Sequence, residues 1–509
     1  MRHSIACVTS AGVLPQPSGR RLLAASVLAA AAAVLTAVAI SAPLPAAQAA
    51  WGGGALAAWC GALLYTCATA AHWDGAGLAQ WKLGPWFLAY CLVIDGLASI
   101  IWAHPQTGSY VIILASSVAR SEWLTAVALT AWAAGYIAAP RRVLASRGQR
   151  FMARLAARRP ATAIGPVVPW LLYGAGTAAR LARYLQTGDL GNIGSPASVL
   201  GSPAWYQQAL ADVTLACPLA ILIAGLRVFR DRGCGARFTL AVLLAAEITA
   251  ALITGQKGMF VTAVAAAAIA RASAGRRVPV AALTAATAFA LLFLIPFTSA
   301  YRATAHPAGA PALTPAQAAA AAPSLGRAVA AAVSPSAVPV SVAYLAQRLS
   351  DISGPALVMQ ETPSQVPYAG DARLPETVAA DWVPRVLWPG KPAGAEGINF
   401  TSDYYGSDLA TATAITPQGD LYHYGGWLTV ITGMAVLGWL VRTADEVLDV
   451  RDPRAALLVL LLWPVLADAE GTVTVMLAVL PGLVLTWLAV TSAVFRRRRA
   501  PVPAPLPLR

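Results

Sequence analysis

Residues 22–42, LLAASVLAAAAAVLTAVAISA, form an unbroken apolar run that is long enough to cross a lipid bilayer. A membrane-spanning helix needs about 20 apolar residues to cover about 30 Å of hydrocarbon. The whole chain follows the same pattern, since 58% of its residues are hydrophobic and only 11% are charged. Soluble proteins carry roughly 25% charged residues. The sequence therefore predicts an all-α integral membrane protein.

Similar apolar runs recur along the chain, and together they predict a polytopic bundle of about twelve transmembrane helices. After the first run, at 22–42, they lie at 51–71, 84–103, 112–139, 161–179, 206–226, 238–254, 259–271, 278–298, 421–441, 455–467 and 473–494. The first run also resembles a signal peptide, with Ala47-Gln48-Ala49 as a cleavage site. Because the run is long for a signal peptide, we favour an uncleaved span.

The charge distribution predicts the orientation of these spans. Most of the 36 Lys and Arg residues fall in alternate loops when the N-terminus is placed in the cytoplasm. Cytoplasmic loops of membrane proteins carry such an excess. The net charge of +14 therefore reflects membrane topology and not nucleic-acid binding. The alanine-rich composition is typical of a high-GC bacterium, so we expect a multi-pass plasma-membrane protein with both termini in the cytoplasm.

Three regions follow from the positions of the spans. Residues 1–299 hold about nine spans, residues 300–420 form one large extracytoplasmic loop, and residues 421–509 hold the last spans and a basic cytoplasmic tail. The first part of the loop is rich in Ala, Pro and Ser and resembles a low-complexity linker. Its second part contains a predicted amphipathic helix at 343–360 and a stretch dense in aromatic and basic residues from 380 onward.

The six cysteines predict neither a disulfide framework nor a metal site. None lies in the large loop, no two form a CxxC pair, and four lie inside apolar runs. We expect no metal and no cofactor.

Four motifs suggest chemistry at the outer face. The sequence TGQKG at 254–258 joins two spans, and a Lys between glycines lets an ammonium and backbone N–H groups approach one anion. Tyr301-Arg302 ends a span. The stretch VPRVLWPGKP at 383–392 combines rigid prolines with Trp388, Arg385 and Lys391, and TPQGDLYHYGG at 416–426 leads into the tenth span. A tight turn, an interfacial anchor and a rigid surface loop are the purely structural alternatives for the first three.

In this order, the motifs resemble the O-antigen or oligosaccharide repeat-unit polymerases of the Wzy type and the related O-antigen ligases. The resemblance covers about 240–445. It rests on the turn at 255–258, on Arg302, on the Arg-x-x-Trp-Pro-x-Lys-Pro block at 385–392, and on the entry at 417–426. Many members have Arg at the glycine-flanked basic position, where this chain has Lys257. Lysine keeps the charge but lacks the bidentate fork of arginine.

The resemblance implies a metal-independent inverting glycosyl transfer on the outer face. Its substrate would be an oligosaccharide linked to polyprenyl pyrophosphate, its acceptor a sugar hydroxyl, and its partners membrane lipid and other membrane proteins of polysaccharide assembly. Positive charge would stabilise the leaving pyrophosphate, and a base would activate the hydroxyl. The candidate catalytic residues are Arg302, Asp420 and His423. The candidate substrate-binding residues are Lys257, Arg385, Lys391, Trp388, Tyr422, Arg180 and Arg183. Asp403, Glu396, Asp468 and Glu470 are further candidate acids or bases.

Charged residues within apolar runs are costly, and they mark candidate functional positions. Asp95, Arg120, Glu122 and Glu247 lie in such runs. We expect Arg120 to pair with Glu122 at a break in the long run 109–139.

Three other classes of function stay open. A transporter or lipid-linked saccharide flippase would explain the many spans, but it predicts internal repeats and broken helices, and no repeat is visible. A metal-dependent transferase that uses a lipid monophosphate sugar would resemble its relatives in an acidic motif in the first outer loop, and residues 43–50 contain no Asp or Glu. A membrane scaffold would not need the aromatic and basic composition at 382–405.

Overall fold

The regular structure of this chain is entirely helical in the part that the computed structural model describes. These residues are 19–71, 81–102, 113–139, 144–158, 164–187, 205–231, 234–294, 297–298, 330, 350–383, 387–388, 396–406, 415–467 and 469–495. The helices are α1 (Gly19–Ser41), α2 (Pro45–Ala70), α3 (Leu83–Ile100), α4 (Ala115–Ala138), α5 (Leu144–Arg158), α6 (Val168–Thr187), α7 (Tyr206–Arg230), α8 (Cys234–Thr254), α9 (Lys257–Ser273), α10 (Val280–Phe289), α11 (Ser353–Glu361), α12 (Arg373–Trp382), α13 (Glu396–Tyr405), α14 (Thr416–Val447), α15 (Pro453–Leu466) and α16 (Val473–Val494).

Seven of these helices are long and apolar enough to cross a membrane, namely α1, α2, α3, α7, α8, α14 and α16. α15 is apolar but shorter. The prediction of an all-helical, membrane-embedded chain is confirmed at this level. The count of about twelve spans and the bounds of the large loop stay predictions, as does the orientation in the plasma membrane.

The helix α4 is continuous across the segment where the sequence suggested a break. Helical geometry is kept from Ala115 to Ala138, including the positions of Arg120 and Glu122. These two side chains, both described, form no ion pair with each other. Arg120 is exposed near the start of the helix, whereas Glu122 is buried against α2. The predicted break and pairing were therefore wrong, because the two residues point to different neighbours.

Two glycines bring α4 and α14 into backbone contact. A Cβ atom at Gly135 would lie 1.9 Å from the carbonyl oxygen of Ala435, and one at Gly438 would lie 2.0 Å from that of Trp132. Small residues at helix interfaces within membranes permit such close approach. The pair α4–α14 therefore forms the centre of the bundle around which α2, α3 and α11 pack.

One end of the bundle is tied together by polar contacts, and we call it the basic end. Asp445 of α14 accepts hydrogen bonds from the backbone N–H groups of Leu83 at 2.6 Å and Gly84 at 3.0 Å, and from the Tyr136 hydroxyl at 2.7 Å. These bonds satisfy donors at the start of α3, which have no partner within the helix. Arg230 donates to the carbonyl oxygens of Ser273 and Arg451 at the same end.

The opposite end, which we call the loop end, contains α11. Trp102 donates its indole N–H to Ser353 at 3.0 Å, and the backbone N–H of Leu114 donates to the Gln360 side chain at 2.9 Å. Six successive residues of α11, 354–359, are buried. An amphipathic helix would keep one polar, exposed face. The predicted amphipathic character of 343–360 is therefore wrong for the described part, because α11 is inserted between α4 and α14.

Candidate functional site

The helix α14 is broken near the loop end, and the break positions the candidate site. Gly425 has φ −161° and ψ 21°, and Gly426 has φ 72° and ψ −152°. The second conformation is open almost only to glycine. The break divides α14 into a short segment, which carries Asp420, Tyr422 and His423, and a long segment that runs to the basic end.

The backbone of residues 368–371 is hydrogen-bonded to α14 at this break. Ala369 donates its backbone N–H to the carbonyl oxygen of His423 at 3.0 Å, and Gly370 donates to that of Tyr424 at 2.9 Å. The carboxylate of Asp371 accepts a hydrogen bond from the Thr429 hydroxyl, in the first turn of the long segment. A carboxylate near a helix N-terminus is favourable because the helix dipole is positive there. Residues 368–371 therefore replace the backbone hydrogen bonds that α14 loses at the break.

His423 is held through one ring nitrogen. Its Nδ1 lies 2.7 Å from the Tyr404 hydroxyl, which lies 2.6 Å from the Thr362 hydroxyl. Burial raises the pKa of Tyr404 to about 12, so its hydroxyl is neutral at physiological pH. His423 is half-buried, and no hydrogen bond from the described part of the chain reaches its Nε2. The arrangement orients the imidazole and leaves Nε2 able to exchange a proton with a substrate.

Aromatic rings surround His423. Tyr422 lies 6.0 Å from Tyr368 and 6.2 Å from Trp427, measured between ring centroids, and both contacts are edge-on. Tyr404 lies 5.7 Å from His423. Such rings combine an apolar face with a polar edge. Tyr404 and Tyr422 are buried, whereas Tyr368 and Trp427 are exposed and suit the faces and hydroxyls of a sugar.

Two charged side chains flank this cluster. Arg120 of α4 is exposed and lies close enough to Tyr422 for electrostatic interaction. Asp403 is exposed and interacts in the same way with His423. From the sequence, Arg120 was expected to pair with Glu122 and was not assigned to the site. An arginine within an apolar run was nevertheless a visible signal.

Asp420 is held away from the surface. It is 2% exposed, and one of its carboxylate oxygens lies 3.3 Å from both the backbone nitrogen and the hydroxyl of Thr474. Next to it, Gln418 donates to Asp95 and Thr125, each at 3.3 Å. These contacts attach the short segment of α14 to α3, α4 and α16. Asp420 therefore positions the segment that carries His423.

Lys257 lies at the first residue of α9, after a turn with a clear structural role. Gly255 has φ 64°, Gln256 donates its N–H to the carbonyl oxygen of Ala251 at 3.1 Å, and Gly255 donates to that of Leu252 at 3.3 Å. This pattern is the Schellman motif, which ends a helix and favours glycine. Lys257 is partly exposed. Its place in the candidate site stays a prediction.

The two glycines of this turn are expected to respond differently to alanine. Gly255→Ala should lower the free energy of unfolding by about 1 kcal/mol, because φ is positive there. Gly258 lies inside α9, and a Cβ atom added to it would have no atom within 4 Å. Gly258→Ala should therefore leave stability unchanged or raise it by up to about 1 kcal/mol. Thermal unfolding of the purified variants measures both effects.

The same pair tests whether the turn binds an anion. If a phosphate approaches the backbone at Gly258, the alanine variant should lose activity while it keeps its thermal stability. Unchanged activity in Gly258→Ala would leave the turn with only its structural role.

Arg180 and Arg183 lie on α6, and Arg180 is already paired. Its guanidinium donates to both carboxylate oxygens of Glu247 on α8, at 2.7 and 2.6 Å. Tyr173 donates to the same carboxylate at 3.1 Å. Arg183 is half-buried. The assignment of both arginines to a phosphate site stays a prediction, and the Glu247 carboxylate already satisfies the charge of Arg180.

The remaining predicted residues are only partly described. Trp388 is 43% exposed, as a sugar-stacking residue would be. Glu470 is hydrogen-bonded to the Tyr90 hydroxyl. Arg302, Arg385, Lys391 and Asp468 lie outside the described residues. No group of three or more His, Cys, Asp or Glu side chains in the described residues has the arrangement of a metal site.

The comparisons with known proteins are sparse. Residues 199–444 match a family model described as a domain of unknown function, DUF8712. This range begins just before α7 and includes Lys257, Asp420, Tyr422 and His423, whereas Arg120, Arg180 and Arg183 precede it. No curated protein and no solved structure matches the chain.

Proposed function

We propose that this protein is a membrane glycosyltransferase of the oligosaccharide-polymerase type, acting at the loop end of the bundle on the outer face of the plasma membrane. It transfers an oligosaccharide from polyprenyl pyrophosphate to a sugar hydroxyl in the synthesis of a cell-surface polysaccharide. The observation that carries the proposal is His423, which a broken helix presents beside aromatic rings and whose Nδ1 is hydrogen-bonded to Tyr404.

In the proposed reaction, His423 acts as the general base. Its Nε2 takes the proton from the acceptor hydroxyl while that oxygen forms a bond to the anomeric carbon of the donor. The bond between this carbon and the pyrophosphate oxygen breaks, and the leaving group takes the electron pair. The configuration inverts because attack comes from the opposite face. Tyr404 and Thr362 orient the imidazole, in the way that a third group orients the base of a catalytic triad.

Positive charge is needed where the pyrophosphate leaves. Arg120 is a described cation that interacts electrostatically with Tyr422. Lys257, Arg302, Arg385 and Lys391 complete the proposed cationic set on the basis of the family resemblance. Trp388, Tyr368 and Trp427 are exposed and supply surfaces for the sugar, whereas Tyr422 is buried and packs against Tyr368 and Trp427. Of the two proposed catalytic groups on α14, His423 is accessible to a substrate, and Asp420 is buried against Thr474.

A lipid-linked saccharide flippase or another transporter is the second candidate. One observation favours it: α14 is discontinuous within a candidate membrane span. Transporters bind substrates at such broken helices. The backbone hydrogen bonds from residues 368–371 to the break are less easily explained in a transporter. These bonds occupy the carbonyl oxygens that a broken helix would offer to a transported substrate.

Replacement of Arg120 tests the two candidates against each other. In a deletion strain complemented with Arg120→Gln, surface polymer should fall by about 10²–10³-fold, because a stabilising charge is lost from the transition state. Lipid-linked repeat units should accumulate on the outer face. Arg237→Gln is the matched control, since Arg237 is exposed near the start of α8. Accumulation of repeat units inside the cell would support the flippase, and normal polymer would contradict a role for Arg120.

A further inference from the structure

A cavity of about 800 Å³ lies between α1, α2 and α4. Alanine side chains from α1 and α4 form much of its wall, together with Leu56 and Trp59 of α2. The α4 residues that line it extend from Ala119 to Ala134. At about 1.5 Å per residue, this is a length of about 22 Å along the helix. The cavity is therefore long, narrow and apolar, as a site for a hydrocarbon chain would be.

One acidic side chain, that of Glu122, lines this apolar cavity. Glu122 is 5% exposed and lines the cavity, and its Oε1 has no hydrogen-bond partner in the described structure. Gly52 leaves room for it, since a Cβ atom there would lie 2.0 Å from Oε2 of Glu122. A buried carboxyl oxygen without a donor is costly. A ligand that fills the cavity could supply the missing donor.

Other polar groups of the cavity are already engaged within the protein. The Thr130 hydroxyl donates to the carbonyl oxygen of Ala126 and accepts the indole N–H of Trp59 at 2.9 Å. Gln48 donates to the carbonyl oxygen of Ala42 at 3.0 Å. Thr36 also lines the cavity, and Glu122 is the one ionisable residue in the described lining.

We propose that the cavity binds one hydrocarbon chain of a neutral, hydroxyl-bearing membrane lipid of the acylglycerol class. The chain lies along α4, and a glycerol hydroxyl donates its hydrogen to Glu122. A charged headgroup is a poor substitute, because an ion is costly to place in an apolar cavity. Glu122 is an acceptor in an apolar cavity, and the glycerol hydroxyl is a donor on an apolar chain. This match identifies the ligand class.

This lipid site is separate from the candidate catalytic site. Glu122 follows Arg120 by two residues, and two residues correspond to about 200° around a helix. Arg120 interacts electrostatically with Tyr422, whereas the Glu122 carboxyl lies against Gly52. The lipid site therefore does not depend on the proposed glycosyl transfer, and either proposal can fail alone.

Native mass spectrometry of the detergent-purified full chain tests the site with two probes that share one acyl chain. Monopalmitoylglycerol and methyl palmitate share this chain, and only the first carries hydroxyl groups that can donate to Glu122. We expect the purified protein to bind the first about tenfold more tightly, which is the change in affinity that one hydrogen bond contributes. Glu122→Leu removes the acceptor oxygens and should remove most of this preference while it keeps a side chain of similar size.

Ala126→Trp should fill the cavity and abolish binding of both probes. Val484→Trp, at a partly exposed position of α16, is the matched control and should bind both probes as the unmodified protein does. Thermal unfolding checks that each variant is folded, and Glu122→Leu gives the decisive result if Ala126→Trp is not. Equal affinity of the unmodified protein for the two probes would overturn the proposal, as would an unchanged preference in Glu122→Leu.

Discussion

Replacing His423 with glutamine is expected to lower the rate of polymer formation by about 10²–10⁴-fold, the usual contribution of a general base. Glutamine retains a polar group near Tyr404 but cannot take a proton from an acceptor hydroxyl. The half-buried position of His423 leaves room for this change without a large loss of stability. The measurement is single-turnover transfer from a synthetic lipid-linked repeat unit, with the variant and the unmodified protein at matched concentration.

Tyr404→Phe is the companion variant for this experiment. It removes the hydroxyl that contacts both His423 and Thr362 and keeps the aromatic ring. We expect a smaller loss than for His423→Gln, because the base is present but less well oriented. The rate in Tyr404→Phe should still rise with pH as the histidine loses its proton, whereas the rate in His423→Gln should not. Full activity of His423→Gln would eliminate histidine as the base.

Arg180→Ala is expected to lower the free energy of unfolding by about 3–5 kcal/mol, because it leaves a buried carboxylate without its partner. Glu247 is fully buried and Arg180 is 15% exposed, so water screens the pair only weakly. The Tyr173 hydroxyl is the other described donor to Glu247, and it is neutral. Thermal unfolding in detergent, together with the yield of folded protein, measures the loss.

The double variant Arg180→Leu/Glu247→Leu distinguishes a structural role of Arg180 from a role in catalysis. Replacing a buried ion pair with apolar side chains is often neutral or stabilising, so this variant should regain most of the lost stability. If the pair is only structural, the double variant should also regain polymer formation. A stable but inactive double variant would instead place Arg180 in the phosphate site that the sequence suggested.

The sequence predicted the candidate site in part. The entry motif at 416–426 was singled out from its Gly, Asp, Tyr and His residues, and the structure places these residues on one short helical segment. It could not rank Asp420 against His423, since both are polar residues three positions apart. Only the packing of Thr474 against Asp420 and of Tyr404 against His423 shows that the first is buried and the second is half-buried. These partners lie 54 and 19 residues away along the chain.

The sequence also misassigned residues whose partners are distant. Arg120 and Glu122 are two residues apart, so pairing them was the simplest local explanation. In a helix such residues point to nearly opposite sides, and each meets a different neighbour. The predicted amphipathic helix at 343–360 is described from residue 350 onward, and its insertion between α4 and α14 buries residues 354–359.

Membrane embedding and helical class were determined by the sequence alone, because a span must satisfy every backbone hydrogen bond within one apolar segment of fixed length. Both requirements are local and can be read from about 20 consecutive residues. The tertiary structure alone decided which charged side chains are neutralised, which are exposed, and where a cavity lies. Those outcomes depend on the electrostatics and packing of groups from different helices, such as Arg180 with Glu247 and Glu122 with Gly52. Hydrophobic length does not encode which helices become neighbours.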